Sequence, residues 1–569
     1  MFALAPAPPQ DWQLIYEKSK FVETGRYDEV LSFCKRLDEA SPNARVLKFG
    51  TSGEGQPMIA LAIAKGPVTD SKKPTILLIS GIHAGEVDGK DADLMLARRI
   101  LISKKNDDLL DRVNIIMVPV FNVDGHERFS PYNRINQNGP KSMGWRTNAE
   151  NLNLNRDFVK ADTPEMRAML KLFNQYKPDF FIDNHVTDGG DWQYDSSYAV
   201  PVAQTQDAGI VQWTKAMIAA AEKNLNAEGY LLSPYFSNID PANLAAGLSV
   251  EEFSPRYSTG FGAAINRPSM LVETHVLKPY KRRVETTFNL NLAAIEFCAK
   301  TADQLKKANA HADALSRKNP EGQTVVLSVS TAATKRPFTF LGYEFKPYLS
   351  EISGAEIPGW DRSKKVSVKT TIRDTYVPDI TIKAPYAYAI PPEWDDATKV
   401  LDAQGIGYRR TKTAISVTAS TYRFDNVRFP RGPFEGRFMP SFAIVSIQEE
   451  RRLPVGTALV GVGQLRGKLV CHLLEPAGPD SLIKWGFFNA VFEEKEFFED
   501  YAMEPIAKKM LAADPKLRKE FQEALKDPAF ANNPRARLTF FWNRSKYADI
   551  MLNKYPVVKL TKAQVDRIK

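Results

Sequence analysis

Cysteine is almost absent from this chain. Cys34, Cys298 and Cys471 are the whole complement in 569 residues. An odd trio spaced this widely excludes a disulfide framework and a thiolate metal site, so any bound metal ion must be held by histidines and carboxylates. Long apolar runs are missing too. The longest are strand-sized, and no segment reads as a membrane-spanning helix. Runs of like charge are also lacking: 76 Lys and Arg outnumber 67 Asp and Glu to give a formal charge of +9, but the basic residues are dispersed. With no zinc-finger spacing and no Walker A loop, nucleic acid is excluded as the expected partner. A hydrophobic share of 43% with 25% charged residues describes a globular protein. Its length calls for two to four domains.

Met1–Pro9 reads A-L-A-P-A-P-P after its first two residues. This resembles the tail of a signal peptide running into a linker, so export to a periplasmic or secreted location is expected, with residues 1–24 as an N-terminal linker. Tyr27 to Leu37 puts Val30, Leu31, Cys34 and Leu37 on one helical face, and residues 45–64 alternate like a hairpin broken at Ser52-Gly53-Glu54-Gly55. P-T-I-L-L-I-S over 74–80 is a short continuous apolar run, the pattern of a strand buried on both faces. A helix is expected over 88–102, a strand over 113–121, and a helix from Thr163-Pro164-Glu165 to Tyr176, opened by an N-cap hydroxyl and a proline at its first position. Strands at 179–185 and 270–275 each end in polar residues. This alternation predicts an α/β domain with a mixed, mostly parallel sheet flanked by helices over residues 25–315. Beyond it, β-like runs at 324–329, 365–372, 414–421 and 442–448, then helix-like sequence over 497–527, predict an accessory region at 316–569, β-rich and then mixed α/β.

His83-Ala84-Gly85-Glu86 follows the run at 74–80. A histidine and a carboxylate three residues apart on a turn at a strand end can be aimed at one ion. Alone, that spacing is weak evidence, because a single histidine after a strand is more often a hydrogen-bonded core residue. His185 ends a later strand and completes a His2Glu set, whose three ligands leave a fourth position open. His83, His185 and Glu273 all fall at the carboxyl ends of predicted strands, where open α/β sheets gather their functional groups.

Over residues 25–300 the chain resembles the zinc metallocarboxypeptidase family, the carboxypeptidase A-like peptidases. The ordered matches are His83 with Glu86, Asn122-Val123-Asp124-Gly125 where the family has Asn-Pro-Asp-Gly, Gly144-Trp145-Arg146, Leu152 to Phe158 (L-N-L-N-R-D-F), His185, and Val272-Glu273-Thr274-His275. The resemblance implies one zinc ion per chain on His83, Glu86 and His185, and Glu273 as the base that deprotonates the attacking water. It further implies Arg146 as the cation polarising the scissile carbonyl, and Asn155 with Arg156 as the clamp on a substrate carboxylate. Those residue types also suit the task, since a fixed guanidinium stabilises an oxyanion and a bidentate fork grips a carboxylate. Tyr257 is taken as the phenol over the substrate, with Arg134 and Arg256 as further substrate contacts. The expected partner is a peptide or peptide-like substrate with a free carboxylate. A zinc amidohydrolase of N-acyl amino acids, like the aspartoacylases, and a carboxypeptidase of cell-wall peptides are the alternatives. The region after 315 lies outside the resemblance.

Overall fold

The computed structural model describes residues 10–203, 206–237 and 239–568. The expected leader remnant Met1–Pro9 lies outside the described residues. The first strands are β1 (Ala44–Thr51) and β2 (Pro57–Ile63), the hairpin read from residues 45–64, followed by β3 (Thr75–Ser80), β4 (Asn114–Val118) and β5 (Phe180–Thr187). Then come β6 (Ser196–Ala199), β7 (Leu232–Pro234), β8 (Phe236–Ser237), β9 (Leu248–Val250) and β10 (Ser269–His275). Eight of these form one mixed sheet in the order β1-β2-β4-β3-β5-β10-β6-β7. Its centre, β4-β3-β5-β10, is parallel throughout. β3 and β4 are buried along their whole length, as strands covered on both faces must be.

Helices Asp88–Leu101, Pro164–Tyr176, Ala208–Ala227 and Tyr280–Lys300 flank the sheet. The first two match the reading from sequence. The other two were not resolved by it, because Ala208–Ala227 is apolar around much of its circumference and shows little periodic contrast.

Residues 10–24, read as a linker, are instead part of the domain. Leu14 and Tyr16 are buried, the Trp12 ring packs edge-on against Phe33, and Glu17 pairs with Arg98. The tether is an ion pair across 81 positions, which local composition cannot show.

The accessory region is not a separate bead on the chain. Strands Arg336–Phe345 and Trp360–Arg373 form a hairpin whose second strand pairs with β9, and β9 pairs with β8, giving a four-stranded sheet shared with the catalytic part. A six-stranded sheet follows, containing the long antiparallel pair Ile415–Arg428 and Ser441–Leu453. Helices Asp500–Ala513, Pro515–Ala524 and Pro534–Trp542 then form their own small apolar cluster. One continuous core runs from Leu77, Ile116 and Val272 of the large sheet to Tyr388, Leu473 and Trp485 of the accessory region. No helix among the described residues is long and apolar enough to cross a membrane.

Candidate metal centre and active site

β3 delivers the chain to Gly81, whose φ of +72° and whose position 3.6 Å (as an added Cβ) from the Val120 Cα turn the backbone sharply. Side chains other than glycine resist that left-handed geometry. The next turn closes with the Glu86 amide donating to the His83 carbonyl at 2.9 Å. His83 and Glu86 therefore face the same way. His83 Nδ1 lies 3.0 Å from Glu86 Oε1, and His185 Nδ1, at the end of β5, lies 2.9 Å from Glu86 Oε2 and 3.1 Å from His83 Nδ1.

Two imidazole nitrogens and both carboxylate oxygens thus crowd one point in a buried setting. His83 Nε2 is 3.1 Å from Asn153 Oδ1, an acceptor that holds the ring proton on Nε2 and leaves Nδ1 a lone pair. Burial lowers the His83 pKa to about 4 against the pull of Glu86, so the ring is neutral, as a ligand must be. Burial opposes ionisation of Glu86 as well, but His83, Arg134 and His185 outweigh it and hold the group well below the ordinary carboxylate range. Around His185, burial is overcome by Asp183 and Glu86, which raise its pKa well above the usual value. Asp183 Oδ2 sits 3.0 Å from His185 Nε2 in an ion-pair contact without hydrogen-bond alignment, and Asp183 has no other partner. The donor set fits zinc. Tetrahedral ligands at roughly 2.0–2.1 Å stand about 3.3 Å apart, close to the spacing seen, and nitrogen with carboxylate oxygen is the zinc-binding combination.

Register places Glu273. β10 pairs in parallel with β5 so that Glu273 stands opposite His185, and antiparallel with β6 so that it faces Ser197. Beside it Thr274 donates to Asp88 at 2.8 Å, and Asp88 is bound by the fully buried Arg283 at 2.8 Å, which ties β10 to the helix that begins after Glu86. Glu273 is half-buried. Desolvation, with Glu86 and Asp183 adding negative charge against the pull of His185, pushes its pKa up to about 8.

The long loop between β4 and the helix at Pro164 supplies the cations. Arg146 lies with Nη1 3.7 Å from Glu86 Oε1 and its side chain 45% exposed, free to reach a ligand. Arg156 donates to the Asn155 carbonyl at 2.9 Å and stacks 4.4 Å over the Tyr257 ring. Tyr257 is thereby brought against the Asn155-Arg156 pair. Asn155 is buried and its Oδ1 has no partner.

Arg134 and Arg256 have fixed partners instead. Arg134 Nη2 is 3.0 Å from Glu86 Oε1, in space kept clear by Gly85, where an added Cβ would stand 2.6 Å from the Arg134 Cδ. Arg256 is held by Asp480 at 2.5 Å and lies over the Trp485 ring at 4.7 Å. Each guanidinium is thus drawn to a carboxylate, Asp480 being 224 positions away, while Arg134 Nε stays buried without a partner among the described residues. Three contributors were missed by sequence reading: Asn153, Asp183 and Tyr235, whose phenol is near enough to Glu273 and Glu86 for their charge to add to the rise that burial causes in its pKa.

Residues 30–240 match the family profile of zinc carboxypeptidase. That stretch of the chain reads as a zinc carboxypeptidase domain. Among curated proteins it is similar to carboxypeptidase 2 of Trichophyton rubrum, 23% identical over 439 residues, covering 73% of this chain and 74% of that protein. It is also similar to carboxypeptidase D of Homo sapiens, 27% identical over 229 residues, covering 39% of this chain and 16% of that protein. Among solved structures it resembles a metallo-carboxypeptidase from Burkholderia cenocepacia, at 19% identity and a TM-score of 0.38 over 48% of this chain and 69% of that one. Carboxypeptidase A from Helicoverpa armigera gives 17% identity and a TM-score of 0.37, over 50% of this chain and 74% of that one. The match implies zinc as the cofactor of this domain, and His83, Glu86 and His185 are grouped as a set able to hold it.

Replacing the outer partner of His83 should loosen that site without unfolding the domain. Asn153→Leu frees Nε2 from its acceptor and lets the ring take the other tautomer, so zinc affinity is expected to fall roughly 10–100-fold. Competition with a chromophoric chelator measures it; unchanged affinity would show that Asn153 does not fix the tautomer.

Proposed function

We propose that this zinc carboxypeptidase removes the C-terminal residue of a peptide, with Glu273 as its proton carrier. The observation that carries the reading is the register of β10: it sets a carboxyl group with a near-neutral pKa beside His185, at the half-exposed edge of the ligand cluster. A group titrating there can accept a proton and return it within one turnover, which an ordinary exposed glutamate at about 4.3 does poorly.

Arg156 and Asn155 bind the terminal carboxylate. Burial lowers the Arg156 pKa, meaning that its charge is partly desolvated, and among the described residues no carboxylate comes within ion-pair distance of it. An incoming carboxylate satisfies that cation, and the Asn155 side-chain amide, whose oxygen is unpaired, lies next to it. The Tyr257 ring holds the guanidinium flat. Arg146, anchored near Glu86 but half-exposed, directs its guanidinium to the scissile carbonyl oxygen as negative charge develops there. Zinc, when bound by His83, Glu86 and His185, supplies the Lewis acid that makes water acidic enough for Glu273 to deprotonate. Glu273 then hands the proton to the leaving amine nitrogen. Arg134 beside Glu86 balances the local negative charge before metal enters. Export, expected from the first residues, remains part of this proposal.

The test is a mixed panel: peptides with free C-termini, the same peptides amidated, and N-acyl amino acids, each followed by mass spectrometry before chelation, after it, and after zinc is restored. Loss of single C-terminal residues only from free-carboxylate peptides, abolished by chelator and regained with zinc, is expected. Hydrolysis of N-acyl amino acids with no peptide cleaved would assign the amidohydrolase chemistry instead.

A further inference from the structure

Along the carboxyl edge of the large sheet, the β4 loop with Arg146, Asn155 and Arg156 lies to one side of the ligands on β3 and β5. On the other side, past Glu273, a cavity of about 490 Å3 opens. That size falls within the roughly 300–1,000 Å3 of small-ligand clefts. Thr187 and His275, the last residues of β5 and β10, line it together with Ser197 of β6 and Ser233 of β7. Ser197 stands opposite Glu273, so the cavity begins where the proton carrier is.

Its walls are aromatic. Trp192, Tyr194, Tyr235 and Phe236 come from the catalytic part, while Pro358 and Trp360 come from the accessory hairpin. The two sets are locked together: Trp192 and Trp360 meet edge to face at 5.7 Å, Gln193 donates to the Gly342 and Val366 carbonyls at 2.7 and 3.0 Å, and the Leu341 amide donates to the Tyr194 hydroxyl at 3.1 Å. The accessory sheet is therefore a fixed wall of this cavity. Trp360 Nε1 is buried without an acceptor, an orphaned donor of a kind that is rare unless a ligand or water completes it. Among the described residues, Asp188 is the one carboxylate that lines the cavity, and no Lys or Arg does.

Resting on the hydrolytic reading above, we propose that this cavity is the acyl-side subsite, and that it selects peptides with aromatic residues upstream of the cleaved bond. With the terminal carboxylate clamped by Arg156, the rest of the chain must leave past Glu273 toward β6 and β7. There its side chains meet the flat rings of Trp192, Tyr235, Phe236 and Trp360. Aromatic pairs add affinity beyond their burial, whereas an acidic side chain would meet the carboxylates of Asp188 and Glu273, the nearby Lys278 and Arg362 being held by the Trp192 carbonyl and by Asp191. The accessory region thus sets the substrate class of the catalytic part.

The experiment uses the full chain with N-acetyl-Phe-Phe-Leu, N-acetyl-Ala-Ala-Leu and N-acetyl-Glu-Glu-Leu. The zinc-loaded protein is expected to favour Phe-Phe over Ala-Ala by about tenfold or more in kcat/KM, with Glu-Glu slowest. Trp360→Ala should bring the Phe-to-Ala ratio to within about threefold while Ala-Ala turnover persists, and Trp360→Phe should restore it. Ile239→Lys, which places a cation on the half-buried rim, should raise Glu-Glu relative to Phe-Phe. Independently of turnover, N-acetyl-Phe-Phe-amide should quench the tryptophan fluorescence of the metal-free protein and bind more weakly to Trp360→Ala. Unchanged ratios in both Trp360→Ala and Ile239→Lys, or an equal loss on all three peptides, would overturn the subsite. Quenching by the amide with no peptide hydrolysed would leave the subsite standing and remove the hydrolytic reading.

Discussion

Glu273→Gln should retain zinc at wild-type affinity while peptide hydrolysis falls by about 100- to 10,000-fold, the range expected when a general base is removed. The substitution preserves shape. Main-chain pairing with β5 and β6 fixes the position whatever the side chain, and Thr274 with Asp88 and Arg283 anchors the strand from its other face. None of the three ligand atoms belongs to Glu273. What the amide loses is basicity: glutamine cannot take the proton that a carboxylate pushed up to about 8 can. The variant should also bind substrate nearly as well, since Arg156 and Asn155 are untouched, so the loss is expected in kcat with little change in KM. Metal content by mass spectrometry and steady-state kinetics on the same sample decide the matter. A variant that keeps a tenth or more of wild-type kcat would show that the proton goes elsewhere, with the nearby phenol of Tyr235 the next group to examine.

The catalytic half was legible because its signals are local. A fully apolar β3 followed by glycine and His83-x-x-Glu86 states in consecutive residues that a buried strand ends and a ligand pair begins, and β10 does the same for Glu273. Partnerships across the fold were not legible. Arg134 and Arg256 look like Arg146 in sequence, but the first is drawn to Glu86 and the second to Asp480, and nothing near either arginine announces those carboxylates. Asn153 was hidden inside a motif read for Asn155 and Arg156, although its side chain sets the tautomer of His83. The short strands β6 to β9 carry two to four residues each, too few for any periodicity to register. That is why the cavity that β6, β7 and β8 line with Trp360 could not be foreseen. The β-runs of the accessory region were read correctly, yet their docking depends on contacts such as Arg437 with Asp162 at 2.6 Å and Gln404 with the Phe158 carbonyl at 2.7 Å.

His83→Ala should reverse the pattern of the glutamate variant, losing metal and activity together. Removing one of three protein ligands leaves Glu86 and His185, which still face Arg134 and Asp183. Those two can settle into ion pairs without zinc: the His185 ring, already biased toward its charged form by Asp183 and Glu86, can stay protonated and donate to the Glu86 carboxylate 2.9 Å away. Metal must then displace that proton as well as bind with fewer donors. Affinity is expected to fall by more than the roughly 10–100-fold assigned to an outer partner such as Asn153. The fold should survive, because β3 and its buried neighbours lie behind the turn. Thermal melts make the distinction quantitative: zinc at a thousand times its dissociation constant stabilises the wild-type protein by about 4 kcal/mol. The same zinc concentration should leave the melting temperature of His83→Ala nearly unmoved. If His83→Ala were stabilised by zinc as strongly as wild type, the principal metal site would lie elsewhere, and the convergence of His83, Glu86 and His185 would have to be a buried hydrogen-bond cluster.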